Sequence, residues 1–155
     1  MDRYTYGIKS DKIRKQIRQE DYDAVVKIAD TIEWKEVRDA HMLTKVAMAY
    51  EKVGRYDRAI DLMLLAYAQI PSASRYLYRI ADLYIKAGDA REAEAHYKMY
   101  REDMPDDNMC DLLHYRILTL EKAPLEDRIE ALEAFINYEL DEEWGYRLAE
   151  LYREN

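Results

Sequence analysis

The segment AYEKVGRYDRAIDLMLLAYAQIP, from Ala49 to Pro71, is followed by a second segment with the same punctuation, LYIKAGDAREAEAHYKMYREDMP, from Leu83 to Pro105. The second segment begins 34 residues after the first, and a glycine, an alanine and a proline coincide. A glycine can take the left-handed conformation that ends one helix, whereas a proline cannot continue a helix. Each segment therefore predicts a helix, a tight turn and a second helix that ends before a proline.

Apolar residues in both segments recur with the 3.6-residue period of an amphipathic helix. The residues that recur before the turn are Leu43, Val46, Ala47 and Tyr50 in one unit, and Leu77, Ile80, Ala81 and Tyr84 in the next. Small residues are needed where two helices approach closely, so we expect Ala47 and Ala81 to be buried at helix crossings.

The same spacing extends in both directions with weaker matches. EDYDAVVKIADTI, from Glu20, lines up with GRYDRAIDLMLLA, and GYRLAELYREN, from Gly145, repeats LYRIADLYIKA at twice the spacing. The unit between them has no turn glycine and is expected to turn at Pro124 instead. We therefore expect one array over residues 1–155, with units at about 6–39, 40–73, 74–107 and 108–141 and a last helix at 142–155.

The patterns L-x₂-V-A-x₂-Y…A-x₃-M…P from Leu43 and L-x₂-I-A-x₂-Y…A-x₃-Y…P from Leu77 resemble the tetratricopeptide repeat. The resemblance covers nearly the whole chain. It implies an all-α fold, a right-handed superhelical solenoid of stacked antiparallel helix pairs. The chain is similar to uncharacterised bacterial proteins of this family whose repeats continue past this point. We therefore expect an N-terminal piece of a longer array, and the alternative is that the last helix is a solvating cap.

Charge and composition exclude several classes of protein. The net charge is −8 and the isoelectric point is about 5.0, so general affinity for nucleic acid or for an anionic membrane is not expected. The single cysteine, Cys110, excludes an internal disulfide framework. The sequence has neither the apolar region of a signal peptide at its start nor a membrane-spanning apolar run. We therefore expect a cytoplasmic protein.

The residues that could carry chemistry form no recognisable site. Cys110 and His114 lie four residues apart and could share a metal ion, but a zinc site needs three or four ligands. The acidic runs EDMPDDN and ELDEE (139–143) lack the central glycine of a calcium loop. No catalytic or nucleotide-binding motif is present in the sequence. We expect a protein that is not an enzyme and has no catalytic residue, metal or cofactor.

By the tetratricopeptide resemblance, the first helix of each unit lines a concave face that binds a peptide or partner segment. The resemblance assigns to this side Arg14, Arg18, Lys45, Met48, Lys52, Arg75, Tyr78, Arg79, Asp82, Lys86 and Arg116. The other positions of the set are Gly7, Ser10, Asp11, Ile17, His41, Thr44, Glu51, Ile85, Met109, Leu112, Leu113, Thr119 and Leu120. We call the whole set the first-helix face.

The first-helix face has a charge opposite to that of the whole chain. Eight of its residues are basic and three are acidic, whereas the chain carries −8. A basic concave wall attracts acidic partners, so we expect an acidic peptide or acidic protein surface to bind there. In the alternative interpretation, the basic residues only pair with acidic residues on neighbouring helices.

Two other functions stay open at the level of the sequence. The run LMLLAY (62–67) is apolar around most of its helix, so Leu62 or Leu65 is expected to face outward unless a neighbouring helix covers it. An exposed apolar patch can mark self-association, and a homodimer through Leu62 and Leu65 is therefore an alternative. The chain could also be a peptide-sensing regulatory segment of a larger bacterial protein.

Overall fold

The computed structural model describes residues 1–137 and 142–154, and within these residues the chain is helical with no strand. The helices are α1 (Arg3–Arg18), α2 (Tyr22–Ala29), a 3₁₀ turn (Trp34–Glu36), α3 (Ala40–Lys52), α4 (Tyr56–Gln69), α5 (Ser74–Ala87), α6 (Ala90–Asp103), α7 (Met109–Leu120), α8 (Leu125–Ile136) and α9 (Glu142–Glu154). Each α-helix packs on the next, which confirms the predicted all-α helical-repeat solenoid. The predicted unit boundary at 141, part of the ELDEE run and Asn155 lie outside the described residues.

The turn inside each of the first four helix pairs contains one left-handed residue, and these residues recur every 34 positions. Gly54 and Gly88 have φ angles of 81° and 83°, which confirms the prediction for both glycines. Glu20 and Lys122 occupy the same place with φ angles of 56°. In all four turns, the residue that follows the left-handed one donates its backbone N–H to the carbonyl oxygen of the residue five positions before it, at 2.9–3.0 Å. The turn before α8 therefore keeps the spacing of the other turns although it has no glycine.

The core follows the apolar pattern of the sequence. Ala47 and Ala81 have no exposed surface, which confirms that they are buried. One cluster of buried side chains joins α1 to α5, a second joins α5 to α7, and a third joins α7 to α9. Because each cluster spans more than one helix pair, the stacking of neighbouring units supplies the core. None of the described helices is long and apolar enough to cross a membrane.

The connection between α2 and α3, residues 30–39, is longer than the connections at 70–73 and 104–108. Trp34 in this connection is buried, and its Nε1 donates a hydrogen bond to the carbonyl of Ala29 at 3.0 Å. Ile32 and Val37 are buried in the same core cluster, which also contains Leu62 of α4. The long connection therefore folds into the core next to α4.

This packing corrects one expectation about α4. Of the two leucines, Leu62 or Leu65, that were expected to face outward, Leu62 does not, because it is only 1% exposed. The reason is that Ile32 and Trp34 of the long connection lie beside Leu62. The sequence pattern did not indicate that this connection packs on α4. Leu65 is half-buried and borders a cleft of about 500 Å³ together with Leu64 and Trp34. We call it the α4 cleft.

Candidate partner-binding surface

Ion pairs join the first helices of three successive units. Lys86 on α5 donates a hydrogen bond to Glu51 on α3 and lies 3.1 Å from the carboxylate of Asp82. Arg116 on α7 donates to Asp82 at 2.7 Å. We call these four residues the ion-pair chain. All four were assigned to the first-helix face, and their contacts bring side chains of α3, α5 and α7 onto one surface.

The ion-pair chain affects the pKa of its own member Lys86 and that of the neighbouring Tyr78. Burial alone would lower the pKa of Lys86, but the hydrogen bond to Glu51 and the charge of Asp82 outweigh it, so the pKa rises above its ordinary value. Burial raises the pKa of Tyr78, and the negative charge of Asp82 adds to this effect. Both groups therefore keep their protons at neutral pH, and Lys86 stays positively charged.

The acidic residues of the first-helix face are all paired within it. Asp11 lies 3.2 Å from Arg14, and Glu51 and Asp82 belong to the ion-pair chain. Five basic residues of the face have no described carboxylate within 4.0 Å, namely Arg18, Lys45, Lys52, Arg75 and Arg79. The local pairs neutralise part of the face, and an excess of positive charge remains on α1, α3 and α5.

Arg75 and Arg79 lie one turn apart on α5. Arg75 is exposed, and its guanidinium carbon lies 4.9 Å from the centre of the Tyr76 ring. Arg79 is half-buried. Tyr78, between them in sequence, packs the edge of its ring against Tyr100 at a centroid distance of 5.6 Å. The segment thus carries two cations one turn apart, and packing against Tyr100 holds the Tyr78 ring in place.

Other residues of the predicted face have different environments. Arg14 lies 3.9 Å from Asp39 in addition to its contact with Asp11, so it is a paired cation. Met48 is half-buried beside the exposed or half-buried lysines of α3. Leu112 and Leu113 are buried, although they were assigned to the face. Leu113 packs into the core cluster that joins α5 to α7, and Leu112 packs into the cluster that joins α7 to α9. On α7 the accessible part of the face is therefore Met109, Arg116, Thr119 and Leu120.

A cleft of about 300 Å³ continues the first-helix face where α5, α7 and α9 meet. It is lined by Ile85, Tyr115, Arg116, Thr119, Leu120, Trp144 and Arg147. We call it the α7–α9 cleft. Trp144 makes edge-to-face contacts with Tyr115 at 6.3 Å and with Phe135 at 5.8 Å, measured between ring centroids. These contacts fix the aromatic wall of the cleft.

Trp144 and Arg147 were not assigned to the partner-binding side from the sequence. A signal was available, because α9 repeats α5 at twice the 34-residue spacing and Arg147 then takes the place of Arg79. The guanidinium carbon of Arg147 lies 5.9 Å from the centre of the Trp144 ring. The last helix therefore extends the first-helix face with a cation and an aromatic ring.

The residues considered for metal binding have packing roles. The His114 ring stacks on Tyr97 with a centroid distance of 5.4 Å and an interplanar angle of 8°. Cys110 is buried, which raises the pKa of its thiol, and its Sγ lies 3.4 Å from the carbonyl oxygen of Met104. In the part of the chain that the structure describes, no group of three or more His, Cys, Asp or Glu residues could hold a metal ion.

Comparisons with known proteins agree with this geometry. The family model described as tetratricopeptide repeat matches residues 51–114. The fold is similar to that of MamA 41-end from Desulfovibrio magneticus RS-1, with a TM-score of 0.71, 16% identity and coverage of 96% of each chain. It is also similar to a tetratricopeptide repeat protein from Parabacteroides merdae ATCC 43184, with a TM-score of 0.77, 16% identity and coverage of 97% of this chain and 59% of that one.

A third similar structure is the C-terminal part of a TPR repeat-containing protein from Cytophaga hutchinsonii, with a TM-score of 0.70, 15% identity and coverage of 93% of this chain and 57% of that one. No curated protein matches the sequence significantly. At this level of identity the structural likeness shows the fold, while the family model shows the repeat itself. Residues 51–114 are therefore tetratricopeptide repeat, and the described chain as a whole has the helical-repeat fold of proteins in that family.

Proposed function

We propose that the protein is a non-enzymatic interaction module that binds an extended acidic peptide, or an acidic segment of a partner protein, on its first-helix face. The tetratricopeptide fold is a scaffold for protein–protein interaction, and stacked repeats offer an extended surface. The observation that carries the proposal is the group of five basic residues without a described carboxylate partner. The cytoplasmic location expected from the sequence belongs to the same proposal.

The charges on the face divide into two groups with different roles. Lys86 and Arg116 are already held by Glu51 and Asp82, so they fix neighbouring first helices relative to one another. Arg75 and Arg79 are available to a ligand, and a guanidinium can bind a carboxylate with two parallel hydrogen bonds. Lys45 and Arg79 hold equivalent positions in successive units, which extends the positive surface along the array. An extended acidic chain matches this distribution.

The test is a charge reversal on α5, Arg75→Glu with Arg79→Glu. The probe is a fluorescein-labelled peptide of ten glutamates, and its binding is followed by fluorescence anisotropy at low and high salt. We expect the reversal to weaken binding by roughly ten-fold or more at low salt, and salt to weaken binding to the original protein because exposed charges are screened.

A matched control carries the same change of charge on a second helix. Arg91→Glu with Lys98→Glu alters two exposed residues of α6 outside the first-helix face. Circular dichroism melts establish that both double variants are folded. The proposal is contradicted when both variants lose the same affinity, or when binding is indifferent to salt.

Self-association through α4 is a second candidate, favoured by the partial exposure of Leu64 and Leu65 beside the α4 cleft. Apolar side chains around an open cleft can mark a contact surface. Light scattering of the purified protein gives its mass in solution. A dimer that Leu65→Glu converts to monomer supports this candidate, and a monomer at all concentrations rejects it.

A further inference from the structure

We propose that the α7–α9 cleft receives one large apolar side chain of the bound acidic segment, so that the partner has an aromatic or leucine-sized residue next to a carboxylate. This inference rests on the proposed function of the first-helix face. It adds a specificity site at the end of that face, with side-chain chemistry that the charges on α3 and α5 do not supply.

The size and lining of the cleft suit a single side chain. Its volume of about 300 Å³ lies at the lower limit of pockets that hold whole small molecules. Ile85, Leu120 and Trp144 provide apolar walls on three different helices. Aromatic side chains bury on the order of 150–250 Å² when enclosed, which makes them effective anchors in such a site. The edge-to-face contacts of Trp144 keep its ring in position before a ligand arrives.

The charge at the rim indicates an acidic partner. Arg116 at one side is held by Asp82, whereas no described carboxylate lies within 4.0 Å of Arg147. Arg147 is exposed and its guanidinium lies over the Trp144 ring. A carboxylate next to the inserted side chain can therefore pair with Arg147. A neutral apolar ligand would fill the cleft but would give Arg147 no carboxylate to pair with.

The position of the cleft joins it to the rest of the first-helix face. Arg116 belongs both to the ion-pair chain and to the lining of the cleft. Ile85 precedes Lys86 on α5, and Lys86 connects in turn to Glu51 on α3. A peptide that lies along the basic residues of α3 and α5 can therefore reach the cleft without leaving the surface.

The experiment compares three short peptides as competitors of the labelled glutamate peptide. The first is acetyl-Glu-Asp-Phe-Asp-Glu-amide, the second has Ala in place of Phe, and the third keeps Phe but has Gln and Asn in place of the acids. We expect the first peptide to compete about ten-fold better than either of the others. Tryptophan emission should also change with the first peptide. Trp34 is buried outside the cleft, so the change reports on Trp144.

Two matched variants each place a Phe at an exposed position. Thr119→Phe fills the cleft, and Ala95→Phe adds the same side chain on α6, outside both the cleft and the first-helix face. The Thr119 hydroxyl donates to the backbone carbonyl of Tyr115 on its own helix, so its loss breaks no contact with another helix. We expect Thr119→Phe to abolish the advantage of the Phe peptide and Ala95→Phe to preserve it.

The possible results separate this inference from the proposed function. If the Phe and Ala peptides compete equally and both lose affinity on the Arg75→Glu, Arg79→Glu protein, the basic face stands and the role of the cleft is rejected. If the advantage of Phe survives Thr119→Phe, the side chain binds elsewhere and the inference is again rejected. Equal competition by the neutral Phe peptide removes the carboxylate from the proposal. If none of the three competes and the glutamate peptide does not bind, both proposals are wrong.

Discussion

The recurring left-handed turn predicts opposite effects for two substitutions at equivalent positions. Lys122 has a φ angle of 56°, and a non-glycine residue in this conformation costs roughly 1–2 kcal/mol. Glycine removes that cost but increases the entropy of the unfolded chain, which offsets about 0.4–1 kcal/mol. Lys122→Gly should therefore stabilise the protein by roughly 0.5–1 kcal/mol.

The reverse substitution, Gly54→Ala, should destabilise the protein by about 1 kcal/mol. Gly54 has a φ angle of 81°, and a Cβ built on it would meet no atom within 4 Å. The expected loss is therefore conformational and does not arise from a steric clash. For a chain of this length, 1 kcal/mol corresponds to a change of about 2–4 °C in the melting temperature.

The assay is urea denaturation followed by circular dichroism at 222 nm, with thermal melts as a second measure. Lys98→Gly is the matched control, because Lys98 is an exposed residue inside α6 and glycine should cost about 1 kcal/mol there. The reasoning is refuted if Lys122→Gly destabilises the protein as much as Lys98→Gly does. It is also refuted if Gly54→Ala leaves the denaturation midpoint unchanged.

Three further predictions concern the ion-pair chain, the helix crossings and the tyrosines. Asp82→Asn should strengthen binding of the glutamate peptide by roughly two- to five-fold, because it frees Arg116 and removes one of the two carboxylates that hold Lys86. Unchanged anisotropy curves would show that Asp82 does not mask this positive charge. Ala81→Phe should lower the free energy of unfolding by ~1–3 kcal/mol, because it overpacks a site with no exposed surface. An unchanged urea midpoint would mean that the surroundings of Ala81 are not tightly packed. Burial, with the hydrogen bond to Asp30, raises the pKa of Tyr50 from 10.0 to about 12. Because the folded-state value is the higher one, this contribution to stability is complete below pH 10 and is lost as the pH rises towards 12, so the urea midpoint should be lower at pH 11 than at pH 9; equal midpoints would contradict it.

The sequence predicted those features of the fold that depend on local chemistry. Gly54 and Gly88 could be assigned to left-handed turns because glycine adopts positive φ more readily than other residues. Glu20 and Lys122 take the same conformation, but nothing in a glutamate or a lysine indicates it. Their positions become visible only from the backbone, where the same hydrogen bond closes each turn.

Features that depend on contacts between distant residues could not be predicted in the same way. The periodicity of α4 left Leu62 without an assigned neighbour, because the cover comes from Trp34 in a connection with no repeat pattern. The eight basic residues of the first-helix face were identified by their positions, but which of them are paired depends on the distances between units. Lys86 contacts Glu51 of the preceding unit, and the two residues are 35 positions apart in the sequence.

The most direct test of the proposed function is a map of the surface that the acidic peptide contacts. Two-dimensional NMR of the isotope-labelled protein, titrated with the unlabelled glutamate peptide, reports on each backbone amide separately. We predict that the largest shifts fall on α3 and α5, around Lys45, Arg75 and Arg79, and that the shifts become smaller as salt is added. Shifts that fall mainly on α4 and α6, or a spectrum that does not change at saturating peptide, would contradict the account.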